Sequence, residues 1–144
     1  MGSAFCGLSD DGSSIVYNPA GLDYLSKIEI TTNYVSLFED TFYGYLGVVY
    51  PTYKSGTFGI GNVFLTSAGF QQRENYYDNG TEFSDTQNAT FLSYGRRIFP
   101  SLSLGTSLKI ISHSIYKYST IGVGSDIAFL YKPKDWLSIG ANLH

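Results

Sequence analysis

From residue 27 onward, apolar and polar residues alternate with a period of two, in one segment after another. That period puts successive side chains on opposite faces of a strand, so each segment predicts a sheet with one apolar and one polar face. The clearest case is 101–118, where Leu102, Leu104, Thr106, Leu108 and Ile110 alternate with Ser103, Gly105, Ser107 and Lys109. The doublet Ile110-Ile111 interrupts the pattern and predicts a β-bulge. Segments 27–37, 41–50, 57–70, 87–98, 121–131 and 136–143 follow the same scheme, although both faces of 57–70 are partly apolar and its register stays open. The expected fold is all-β, an antiparallel sheet of about seven strands of roughly 9 to 11 residues or more, long enough to cross a bilayer at a barrel's tilt.

Composition supports a wall with one face out of water. Aromatic residues make up 17% of the chain and charged residues only 15%, against about 25% charged in average globular usage. Nine Lys and Arg against twelve Asp and Glu give a net charge of −3, so no nucleic-acid partner is expected. No apolar run is long enough for a transmembrane helix, and a membrane barrel needs none. Cys6 is the single cysteine, which excludes a disulfide framework and a thiolate metal site.

The connections alternate in character. Every second link carries a proline (Pro51, Pro100, Pro133), whereas the others, notably 74–85 and 113–120, are polar and longer, with Asn79-Gly80 as a loop tip. Short turns at one end and long loops at the other mark outer-membrane barrels, with the proline turns on the periplasmic side. Tyr50, Tyr53, Phe99, Tyr131 and Trp136 flank the short turns. Tyr43, Phe70, Tyr76, Tyr77, Tyr116 and Tyr118 flank the long loops, and together they predict two interfacial girdles.

Residues 1–25 differ in texture and are expected to form a hatch, or plug, with 26–144 as the wall. A short helix with Ala4, Phe5 and Leu8 on one side is expected before Asp10-Asp11-Gly12, although three glycines oppose it. In Asn18-Pro19-Ala20-Gly21-Leu22, Pro19 biases Asn18 toward extended backbone, Asn18 can bond nearby backbone, and Gly21 permits a sharp turn. These properties fit a hinge or an ordinary turn.

Met1-Gly2-Ser3-Ala4-Phe5, Leu8-Ser9-Asp10-Asp11 and Asn18-Pro19-Ala20-Gly21-Leu22 together resemble the N-terminal hatch of FadL-like outer-membrane β-barrels, closest to the PorV/PorQ branch. Segments 38–41, 93–97 and 102–109, with Ile115, Tyr118 and Ser119, look similar as well. The resemblance implies a closed transmembrane barrel of about fourteen strands, of which these would be the first half, with the N-terminus folded into the lumen. It implies the bacterial outer membrane, its lipid as partner, and a signal peptide upstream of Met1. Two roles follow from it. One is an accessory of type IX protein secretion that binds exported proteins or secretion components. The other is a channel for small hydrophobic compounds, with Phe5, Leu8, Ile15, Asn18, Pro19 and Ala20 at the hatch. A soluble β-sandwich or secreted adhesin explains the alternation equally well, but not the long strands and alternating turn lengths.

Catalytic chemistry is not expected. Ser112, His113 and Ser114 point to alternate faces, so they do not form a nucleophile and base, and His113 reads as a loop-end residue. Two histidines are too few for a His-based metal site, and Asp10-Asp11-Gly12 lacks the spacing of a calcium loop. No cofactor is expected. Lys109 and Asp126 fall on the polar face of neighbouring strands and predict an ion pair in the lumen, because a lysine on the lipid face costs about 2 to 4 kcal/mol.

Overall fold

The computed structural model describes residues 5–38, 40–52, 54–72, 81–134 and 136–143. The chain is all-β. Strands β1 (Glu29–Ser36), β2 (Thr41–Thr52), β3 (Gly56–Gln72), β4 (Thr81–Phe99), β5 (Leu102–Ile115), β6 (Tyr118–Lys134) and β7 (Leu137–Leu143) pair antiparallel in sequence order. They curl into a half-barrel. Three short helical pieces precede them: α1 (Phe5–Leu8), α2 (Ser14–Tyr17) and a 3₁₀ helix (Pro19–Tyr24).

Alternation along the strands separates a convex from a concave face. The convex face carries Ile30, Tyr50, Phe58, Ile60, Leu92, Leu104, Leu108, Ile121, Val123, Ile127 and Phe129, all exposed; Ile121 is 74% and Val123 72% accessible. The buried part of the concave face mixes Gly59, Gly61, Ser93, Gly95, Ser103, Gly105, Ser107 and Asp126 with Tyr45, Val49, Phe91, Ala128 and Leu130. The open apolar residues of the convex face differ from the polar outer face expected of a sheet in water.

The hatch lies on the concave face and meets these small residues. A Cβ at Gly105 would overlap the backbone of Pro19 and Ala20, and one at Gly140 would overlap the Cys6 carbonyl. Ile15 sits over Gly59 and Gly61, completing an apolar cluster with Leu22, Val49 and Phe91. Glycine in these strands therefore serves close backbone approach.

Several boundaries differ from the sequence reading, each for a physical reason. Ile110 and Ile111 stay in unbroken register with both neighbouring strands, so no bulge occurs there. The doublet is instead apolar on both faces, Ile110 outward and Ile111 lining a concave cleft. Register shifts fall at Ser67/Phe70, Arg97/Phe99 and Tyr131/Lys134. Segment 113–120 is not a long loop. His113 pairs with Thr120, and Ile115 with Tyr118, around the turn at Tyr116, whose φ is 52°. That segment is polar because the hairpin projects beyond the hatch, with residues 114–120 exposed.

Pro51 and Pro133 lie inside β2 and β6 near their ends rather than in the turns. Such positions tolerate a residue with no N–H to give the ladder. The loop tip Asn79-Gly80 and the girdle residues Tyr53, Tyr76 and Tyr77 lie outside the described residues. Of the remaining girdle residues, Tyr50, Phe99, Tyr131, Trp136, Phe70, Tyr116 and Tyr118 are exposed, whereas Tyr43 is half-buried beside the hatch.

Replacing Gly105 by Val should lower stability by about 1 to 3 kcal/mol through overpacking against the hatch. Gly122→Val, where nothing lies within 4 Å, should leave the thermal midpoint nearly unchanged. Equal shifts for both variants would refute the close-approach role.

Candidate functional site

The concave face of the sheet, with the N-terminal segment seated on it, gathers most of the buried polar groups. Asn18 is its pivot. Followed by proline, it is extended at φ −160° and ψ 95°, and its side-chain oxygen accepts from the Ala20 N–H at 3.1 Å, capping the 3₁₀ helix that Pro19 begins. Its amide nitrogen donates to the Cys6 carbonyl at 2.6 Å and to the Phe129 carbonyl in β6 at 3.2 Å. One fully buried side chain thus joins α1, the 3₁₀ helix and the wall. Gly21 makes no left-handed turn; it is small because Ser9 packs where its Cβ would be.

The hatch is tied across the sheet. Gly12 donates to Glu29 Oε1 of β1 at 2.7 Å and accepts from the Tyr45 hydroxyl of β2 at 2.7 Å. Ser93 Oγ of β4 donates to the Ile15 carbonyl at 3.0 Å and bonds Ser107 Oγ at 2.6 Å. At β7, Ser138 Oγ donates to the Gly7 carbonyl and Asn142 Nδ2 to the Tyr17 carbonyl at 3.1 Å. Asp11 accepts from the Ser13 N–H at 2.8 Å, so it stabilises its own turn.

At the proline-turn end, Arg97 pairs with Asp23 at 3.0 Å, and Arg97 and Lys132 lie 4.5 and 4.1 Å from the Tyr24 ring centre. These cation–π contacts fasten the last turn of the hatch.

Lys109 and Asp126 meet as expected: Lys109 Nζ donates to Asp126 Oδ1 at 2.6 Å, and Asp126 is fully buried. The lysine stem crosses Gly124, which explains the missing side chain there. Higher on the concave face, His113 Nε2 stands 2.6 Å from Asp85 Oδ1. His113 belongs to β5 rather than to a loop end, and its sequence neighbours Ser112 and Ser114 lie on the opposite face. Burial pushes the Cys6 thiol up from its usual value, partly offset by the hydrogen bond with Asn18. Among the described residues no group of three metal-ligating side chains occurs.

The hatch residues named from sequence separate into two sets. Ile15, Asn18, Pro19 and Ala20 are buried and brought together against the wall. Phe5 and Leu8 are not in that set: Phe5 packs edge-on against Tyr17 at 5.3 Å, and Leu8 is exposed. Beside the hatch lie two adjoining clefts sharing Tyr43 and Val63. One of about 110 Å³ includes Val16, Tyr17 and Tyr45, and one of about 260 Å³ includes Leu65, Ala89 and Ile111. Sequence reasoning missed the ties through Glu29, Tyr45, Ser93 and Ser138. Their available signal was the run of Gly and Ser at alternate strand positions, which marks a wall approached closely by another backbone.

No protein-family model matches this chain, and no match was found among curated proteins or solved structures.

Asn18→Ala should destabilise the hatch by about 2 kcal/mol through loss of buried hydrogen bonds, and limited proteolysis should then cut within residues 9–13. Unchanged protection would dismiss Asn18 as pivot. Asp126→Asn should lower stability by about 3 kcal/mol because it removes the buried negative charge that faces the Lys109 ammonium. The double variant Lys109→Met/Asp126→Asn should recover most of that loss, as read by the thermal midpoint.

Proposed function

We propose that this chain is part of the wall, and the hatch, of a bacterial outer-membrane β-barrel. One observation carries the reading: the convex face displays most of the exposed Ile, Leu, Val and Phe, interrupted by Asn62, Asn88 and Thr90, which hydrogen-bond one another, while the face holding the packed interior is Gly- and Ser-rich. A soluble sandwich buries the opposite faces. Outward apolar side chains, an inward polar wall and exposed aromatic residues near both strand ends are what a bilayer demands of strands that cross it. The reading also requires partners for the free edges of β1 and β7, since unpaired strand edges have no place in hydrocarbon.

Within that reading, the lumen favours binding of small hydrophobic compounds. The adjoining clefts beside the hatch offer Val16, Val63, Leu65, Ala89 and Ile111 under the rings of Tyr43 and Tyr45. The alternative role, as an accessory of type IX secretion of the PorV/PorQ kind, rests on the sequence resemblance of the hatch.

Leu108→Arg, on the convex face, should destabilise the bilayer-embedded protein by about 2 to 4 kcal/mol. If that face meets water, the same change should have little effect, and recovery of a soluble monomer without detergent would overturn the membrane reading. For the lumen, an acyl probe whose fluorescence rises in apolar surroundings should bind at least tenfold more weakly to Ile111→Glu. Undiminished binding would leave the export role as the better reading.

A further inference from the structure

The convex wall is not uniformly smooth. Near the proline-turn end it is indented by a groove of about 410 Å³ between β2, β3 and β4, lined by Val48, Tyr50, Phe58, Ile60, Leu92 and Tyr94. The Phe58 and Tyr94 rings contact at 5.1 Å and form its floor toward the turn, with the Tyr94 hydroxyl anchored on the Ser55 carbonyl at 2.6 Å. Ser93 also borders the groove, but its hydroxyl is turned to the concave side, where Ile15 and Ser107 hold it. The groove therefore offers hydrocarbon contact along its length and polar groups only at its rim.

The rim is cationic. Arg96 follows Tyr94 on the same face of β4, about 7 Å further along, and Lys54 occupies the adjoining β2–β3 turn. Both are exposed, and among the described residues neither forms an ion pair. Arg97 and Asp23 at this end neutralise each other on the concave side. An apolar slot ending in two unneutralised cations and tyrosines at the level of a membrane interface matches one kind of occupant, a molecule with a hydrocarbon tail and an anionic head. A polypeptide would strand its backbone groups in the slot.

We propose that this groove is a binding site for an anionic diacyl phospholipid, its acyl chain along Val48, Ile60 and Leu92 and its phosphate between Lys54 and Arg96. The site rests on the membrane reading and adds to it a preference among lipids. The test is native mass spectrometry of the protein released from detergent micelles containing either phosphatidylglycerol or phosphatidylcholine. The wild type should retain phosphatidylglycerol at least tenfold more than phosphatidylcholine. Lys54→Gln/Arg96→Gln, at exposed positions away from the hatch, should abolish the preference, and Leu92→Trp, which fills the slot, should reduce retention of both lipids. Equal retention of the two lipids by the wild type, or an undiminished preference in the double variant, would overturn the site while leaving the barrel reading standing. A protein that is soluble and monomeric without detergent would overturn both.

Discussion

The whole arrangement depends on the backbone of the hatch lying directly against the backbone of the wall. Only Gly and Ser on the facing strand positions permit that approach, and they appear where the hatch crosses: Gly59 and Gly61 under Ile15, Gly95 and Gly105 beside Pro19 and Ala20, Gly140 beside Cys6. The interior is held by hydrogen bonds that Asn18, Tyr45 and Ser93 donate and Glu29 accepts, together with two apolar clusters, one of Ile15, Leu22, Val49 and Phe91 and one of Ala20, Ala128 and Leu130. Such bonds are worth about 1 kcal/mol each, and more when one partner would otherwise be buried unpaired.

The same economy explains the opposite face. The large apolar side chains left out of the interior are displayed outward, where only an apolar medium or another apolar surface would cover them. Buried polarity and exposed hydrophobicity are thus two sides of one decision, made residue by residue through the pleat. The Lys109–Asp126 pair fits this pattern, since both charges occupy the inward register and the lysine stem has space because position 124 is glycine.

Seven antiparallel strands are legible because a period of two sustained over many residues has few other meanings, although the facing of 57–70, apolar on both sides, is not. The extended backbone at Asn18 is legible through the conformational limits that Pro19 imposes. Reading failed where polarity has two causes. The run 113–120 reads as loop, since a strand hairpin whose residues 114–120 are all exposed has the same composition as a loop. The Ile110-Ile111 doublet was taken for a bulge because nothing local reveals an apolar cleft behind the wall. Arg96 and Arg97 adjoin in the sequence, yet the pleat sends them to different tasks, Arg97 to Asp23 and Tyr24 and Arg96 to the outer surface.

The hatch is joined to both lateral limits of the sheet, to Glu29 in the first strand and to Ser138 and Asn142 in the last. The contacts to β7 span separations of 125 and 131 residues. Loops of that size close slowly relative to neighbouring hairpins. The ties to β7 therefore close after the intervening hairpins, whereas those from Gly12 to Glu29 and Tyr45, 17 and 33 residues away, need no such wait. The N-terminal segment thus clamps the sheet from β1 to β7, bracing its curvature across the hollow.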